Sequence, residues 1–337
     1  MGDWRDRLRG DPLPWLLAEA EPAVRHLALR QLLDRPADDP EVRAAREAAT
    51  RTDPIAAILA AQDPAGWWEK PGHGYGPKYR GTTWSLIFLD QLGADPDEPR
   101  VQAGCEYVLA HTQARTGGFA CSGAASEKPP PPGLVLHCLT GNLLRALIGF
   151  GRLDDERVGR AIAWEAAAIT GEGEPHWNAA TPGPGFRCGA NDGLPCAWGA
   201  TKALLALARI PPERRSPAVE QALDASVAFL LSRDPAVADY SMGYGNRKPN
   251  ASWFRLGFPS GYVADVLQVL EALVEAGAGR DPRLAHAIEW LLVQQDAHGR
   301  WANHHGYAGK LWVDIDRPGA PSPWVTLRTC RVLRAIA

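Results

Sequence analysis

Apolar residues recur at helical spacing along almost the whole chain, and the helices they predict are of two alternating kinds. The first kind is amphipathic. Pro282 to Trp301, PRLAHAIEWLLVQQDAHGRW, puts Leu284, Ile288, Leu291 and Leu292 on one face, then stops at a Gln, a Gly turn and a Trp. Val101 to Phe119 and Ile55 to Trp68 repeat that outline, and fainter copies run from Arg157 to Trp177 and from Ala218 to Leu231. The second kind is apolar on more of its circumference, which predicts burial. These helices are TTWSLIFLDQLG from Thr82, CLTGNLLRALIGFG from Cys138, CAWGATKALLALARI from Cys196, GYVADVLQVLEALVEAG from Gly261 and WVTLRTCRVLRAIA from Trp324. Corresponding positions Thr82, Leu139 and Cys196 lie 57 and 57 residues apart, widening to 66 at Tyr262 and 63 at Val325. One unit is therefore a helical hairpin plus a long loop, the pattern of a repeat architecture.

The N-terminal stretch supplies another inner helix from Pro22 and an outer one from Pro40 to Gln62. A leftover helix near Asp11 to Ala20 is free to pair with the last one. An open solenoid ends in polar capping repeats, whereas the final helix is apolar on two sides, at Val325, Leu327, Val332, Leu333 and Ile336. The expectation is an all-α chain closed into an α/α toroid of about six inner and six outer helices. It is read as one domain over 1–337, with 1–62 completing the ring and 63–337 carrying the repeats. Inner-to-outer connections such as GADPDEP at Gly93 are short and outer-to-inner ones are long, so every long loop emerges at one end. That rim is the expected site.

Composition narrows the function. Net charge is −3 with acids and bases interspersed, which excludes the one-sided basic footprint of a nucleic-acid binder. No apolar run is long enough for a transmembrane segment, and Met1 to Gly10 is charged where a signal peptide is apolar, so a cytoplasmic protein is expected. Thirteen tryptophans are many for this length and call for an architectural or binding role. Oligomeric state is not legible.

The arrangement of Arg283, Trp290, Leu291, Gln295, Gly299 and Trp301 resembles the QW-type repeat of squalene and other terpenoid cyclases and of protein prenyltransferases. The resemblance covers most of the chain at the level of repeats. It implies an α/α toroid in which the Gln braces the end of one outer helix to the backbone of the next unit. It also implies an enzyme handling an apolar, isoprenoid-like molecule in a central cavity. The chain departs from the family's chemistry: Val313-Asp314-Ile315-Asp316-Arg317 lacks the third aspartate of the Asp-x-Asp-Asp acid. Leu153-Asp154-Asp155-Glu156 reads as a helix cap rather than an Mg²⁺ motif. The zinc ligands of protein prenyltransferases are not recognisable.

Four cysteines fall on the long-loop rim: Cys121 and Cys188 in loops, Cys138 and Cys196 opening inner helices. Neighbouring units bring them together, and four thiolates make a closed tetrahedral zinc site, a structural rather than a catalytic one. His137 or His176 in place of one cysteine would open it. Separate packed thiols are the competing reading; Cys105 and Cys330 read as packing.

Candidate cavity residues are the polar and aromatic groups at the mouths of inner helices. Lys78, Tyr79, Arg80, Trp84, Trp198, Trp253, Arg255, Tyr262, Trp312 and Trp324 are expected to bind substrate, the cations clamping a diphosphate or carboxylate and the aromatic walls steadying a cation. Asn142 and Lys202 face the same cavity. Asp314, Asp316 and Asp265 are the candidate acids, with Asp314 first because WVDID would desolvate it among tryptophans and raise its pKa. The leading expectation is a terpenoid cyclase- or prenyltransferase-like enzyme. The alternative is a non-catalytic toroid that binds a lipid, prenyl group or peptide, with a structural zinc. A sugar-processing α/α barrel would need two carboxylates facing each other across the cavity, for which Asp265 and Asp314 are the available pair.

Overall fold

The computed structural model describes residues 3–18, 20–123, 129–172, 184–241 and 248–337. His176 and Trp177 lie outside them. In chain order the helices are α1 (Leu13–Leu16), α2 (Pro22–Gln31), α3 (Pro40–Arg51), α4 (Ile55–Ala60), α5 (Thr82–Gln91), α6 (Pro99–His111), α7 (His137–Gly149), α8 (Glu156–Thr170), α9 (Ala197–Ala208), α10 (Pro217–Leu230), α11 (Val266–Glu275), α12 (Ala285–Leu292) and α13 (Pro323–Ile336). Among the described residues the named strands are β1 (Arg187–Cys188) and β2 (Leu194–Pro195), paired antiparallel.

The chain is an α/α toroid. Helices α5, α7, α9, α11, α13 and α2 pack side by side in that order, and the ring closes where Leu27 of α2 meets Gly93 at the end of α5. Outer helices α3, α6, α8, α10 and α12 each cover the inner helix of their own unit. The sixth outer position belongs to the N-terminus: the turn at Trp4–Arg7 and α1 cover α13. Closure is as the apolar last helix required, though the predicted helix near Asp11 to Ala20 shrinks to four residues. One apolar cluster runs from Trp4 to Leu333.

Local chemistry explains where the elements begin. Asp39, Glu98, Asp155 and Ser216 accept backbone N–H bonds at the starts of α3, α6, α8 and α10, three of them followed by a proline at the first helical position. Inner helices α5 and α9 are buried on every side because the outer layer covers one face and the ring the other. Where α7 crosses α9, a Cβ on Gly141 would lie 2.5 Å from the Lys202 carbonyl carbon, so this close packing requires glycine. The helix predicted from Gly261 starts only at Val266. Asp265 folds back as its cap, accepting the N–H of Gln268 at 2.8 Å and of Gly257 at 3.0 Å.

The repeat residues brace the ring. Gln62 donates to the Arg100 carbonyl at 2.8 Å, Gln113 to that of Arg157 at 2.7 Å, and Gln295 to that of Arg7 at 3.2 Å. Each bond ties an outer layer to the next; the third ties the last unit to the first residues. Trp68 and Trp301 are fully buried and donate their indole N–H at 2.7 Å to Ile58 and Leu291.

Candidate central-cavity site

The long-loop end of the ring, where the site was expected, is filled. Tyr79 stacks on Tyr307 at 4.2 Å, Trp84 packs against Tyr75 and Tyr79, and Tyr262 bridges Trp84 and Trp198. The loop before α11 runs into the centre of the ring. Ser260 exchanges two hydrogen bonds with Gln91 of α5 at 2.7 and 2.8 Å, Asn142 of α7 donates to Gly261 at 3.1 Å, and Arg328 of α13 donates to Gly257 at 2.9 Å. Three inner helices thus hold a backbone plug.

Below the plug a cavity of about 460 Å³ opens at the opposite, short-loop end, and all six inner helices contribute to it. Its wall nearest the plug is apolar: Phe258 lies flat on Trp324 at 4.5 Å with 3° between the rings, beside Leu327. Its sides carry Arg145, Arg209, Arg328 and Arg331 against Asp90, Glu271 and Glu275. Four guanidiniums to three carboxylates leave one positive charge in excess.

The acids are engaged. Glu271 is buried, which works against its charge, but Arg328 and Arg331 outweigh burial and hold the carboxyl down to about 2; Arg331 meets it at 2.7 Å and Arg328 takes both its oxygens. Asp90 accepts from Arg209 at 2.8 Å. Arg145 is the exception among the cations. It reaches Asp90 only at 3.8 Å and Glu275 only at 3.5 Å, and its buried Nε has no hydrogen-bond partner.

Of the ten residues expected to bind substrate, Trp324 alone lines this cavity. Trp84 and Trp253 are buried and satisfied by the carbonyls of Tyr75 and Pro235 at 2.7 and 2.8 Å. Tyr79, Tyr262 and Trp198 belong to the aromatic filling, Lys78 rests on the Tyr262 ring at 4.6 Å, and Arg80 lies over Trp312 at 4.3 Å while pairing with Glu69 at 3.1 Å. Arg255 is exposed. The inserted loop places aromatic mass where an empty rim was expected, and Trp198 and Trp253 line a smaller pocket at that end.

The candidate acids are corrected too. Asp314 is exposed and accepts the Gly309 N–H at 2.8 Å, in an outer cleft with Glu21 and Asp316 rather than in the ring. Trp15 and Trp324 line the same cleft, but Asp314 itself is open to solvent. Asp316 is half-buried; burial pushes its pKa up, against the hydroxyl of Ser322 that donates to it. Asp265 is buried and raised by that burial, but one of its oxygens caps α11 at Gln268 and the other accepts the Gly257 N–H of the preceding loop. Asp265 and Asp314 line different pockets and do not face one another. Lys202 lies behind the cavity, donating to Gln268.

The four rim cysteines interact electrostatically with one another, as neighbouring units require. Among the described residues, however, no three His, Cys, Asp or Glu side chains converge where they could hold a metal ion. The cavity residues that sequence reasoning missed, Arg145, Glu271 and Arg328, did carry a signal: each interrupts an otherwise apolar inner helix.

The architecture defines a closed ring of helical hairpins with a polar, one-ended central cavity. No protein-family model matches the chain, and no curated protein matches it in sequence. Solved structures similar to it include a protein from Actinoplanes, 14% identical, with a TM-score of 0.45 over 94% of this chain and 90% of that one. They also include the type II terpene cyclase MstE from Scytonema, 15% identical, with a TM-score of 0.31 over 83% of this chain and 94% of that one. A variant of that cyclase in complex with geranylgeranyl dihydroxybenzoate is 17% identical, with a TM-score of 0.29 over 84% and 95%. Among the described residues no helix is long and apolar enough to cross a membrane.

Proposed function

We propose that the central cavity binds an amphipathic anion of isoprenoid type, its apolar body against Phe258, Trp324 and Leu327 and its anionic head on Arg145. The observation that carries this reading is Arg145: a partly buried guanidinium whose buried Nε has no hydrogen-bond partner, in a cavity with one excess positive charge, is a group awaiting an acceptor. The volume of about 460 Å³ is that of a small-molecule site. A diphosphate or carboxylate satisfies Arg145 better than the distant Asp90 and Glu275 do.

A non-catalytic binder is the second reading, and the state of the cavity acids favours it. Asp90, Glu271 and Glu275 all pair with arginine, so no lining carboxyl is poised to protonate an alkene. Calorimetry with farnesyl diphosphate, farnesol and inorganic pyrophosphate tests the binding. Farnesyl diphosphate is expected to bind, either half alone at least about tenfold more weakly, and Arg145→Met to lose that margin. Equal binding by Arg145→Met, or no binding of any of the three, overturns the proposal. Gas chromatography of the same incubations separates the readings, since an enzyme converts the ligand and a binder returns it unchanged.

A further inference from the structure

The charges around the central cavity leave little free to meet a ligand. Arg209 donates to Asp90 at 2.8 Å and to the Arg145 carbonyl at 3.2 Å. Arg328 takes both oxygens of Glu271 and the Gly257 carbonyl, and Arg331 divides itself between Glu271 at 2.7 Å and Glu275 at 3.1 Å. Arg145 keeps one open edge. An Nη of it reaches Glu275 only at 3.5 Å, while no described residue accepts from its buried Nε. The cavity thus offers one free donor edge and one positive charge in excess.

Negative charge crowds that edge. Oδ2 of Asp90 lies 3.8 Å from the Arg145 Nε, with Glu275 on the other side of the guanidinium. The last residues of five inner helices, Gln31, Gln91, Gly149, Ala208 and Glu275, also line the cavity, so the negative ends of five helix dipoles converge on it.

Resting on the reading of this cavity as a site for an amphipathic anion, we propose that the anion is a single carboxylate held side-on by Nε and an adjacent Nη of Arg145. The ligand class is then a long apolar monocarboxylic acid rather than a diphosphate ester. The Nε–H and Nη–H of one guanidinium edge are parallel donors that match the two oxygens of a carboxylate. One carboxylate also cancels the one excess charge. A diphosphate ester carries several charges, and those beyond the first would be held out of water against Asp90, Glu275 and the helix C-termini with no free cation to pair them.

Calorimetry of the full-length chain at neutral pH with farnesoic acid, its methyl ester and farnesyl diphosphate tests the head group on one shared apolar body. The acid is expected to bind at least about tenfold more tightly than either of the others. Arg145→Lys keeps the charge and removes the fork, so it is expected to bring the acid to the level of the ester with little effect on farnesyl diphosphate. Glu275→Gln takes away a neighbouring negative charge and is expected to raise the affinity for farnesyl diphosphate more than that for the acid. Farnesyl diphosphate binding as tightly as the acid overturns the carboxylate assignment while leaving the anion site in place. Equal binding of acid and ester also overturns it, as does an Arg145→Lys chain with unchanged circular dichroism that keeps the full advantage of the acid. No binding of any of the three overturns both the assignment and the reading it rests on.

Discussion

Lys202 shows how much a single buried residue imposes on this ring. It sits on α9 with its Nζ on the Gln268 amide oxygen, and burial pushes its pKa down from 10.5 to about 7. The folded chain therefore holds fewer protons than the unfolded chain between about 7 and 10.5. This group's contribution to stability is complete above the unfolded value and lost as pH falls through the folded one. Stability is expected to rise across that window by up to about 1.4 kcal/mol per pH unit. Urea unfolding at successive pH values checks it: Lys202→Met should flatten the profile, and equal slopes would mean that Lys202 titrates as an exposed lysine. In sequence, Lys202 is legible as a charge inside an apolar helix; that it pairs with Gln268 is not, because 66 residues separate the two.

At the scale of elements, α11 and α13 are clamped by Glu271 on Arg328 and Arg331. Removing one member of a buried ion pair leaves the other charged and unsatisfied, at about 3–5 kcal/mol. Glu271→Gln is expected to destabilise the chain by that order in urea unfolding. Glu47→Gln is the comparison. Its partner Arg51 lies 3.6 Å away with both side chains exposed, and a pair of this kind contributes less than about 1 kcal/mol. Equal effects would refute the clamp. The sign with acid follows from the depressed pKa: the Glu271 contribution is complete above the ordinary value of 4.5 and disappears as pH falls through about 2.

The whole molecule depends on one seam. Gly299 has φ +71°, and a Cβ there would stand 2.2 Å from the Gly10 carbonyl oxygen, where the last repeat meets the first residues; Gln295 accepts from the Arg9 N–H at 2.7 Å beside it. Gly299→Ala combines backbone strain with collision. Gly277→Ala brings strain alone, since nothing lies within 4 Å of a Cβ at that position, and costs about 1–2 kcal/mol. The expected result is a larger fall in thermal midpoint for Gly299→Ala, with faster proteolysis within residues 3–18. Matching behaviour of the two variants would show that the seam does not govern closure.

The pattern of apolar residues determined the all-α class, the alternation of inner and outer helices and the closing of the ring. These follow from local periodicity and from the need of every apolar face for a partner. The glutamines and tryptophans of the repeats are equally legible, because each bonds backbone at a fixed place in its own unit or the next. The site was not legible in that way. Asp314 reads as an acid buried among tryptophans until packing leaves it open to solvent, and Tyr79, Trp84 and Tyr262 read as cavity walls until the loop carrying Ser260 fills the space they would line. Only the tertiary structure decided which end of the ring is open, since that depends on where one long loop goes, and its anchors, Gln91, Asn142 and Arg328, lie far from it in sequence.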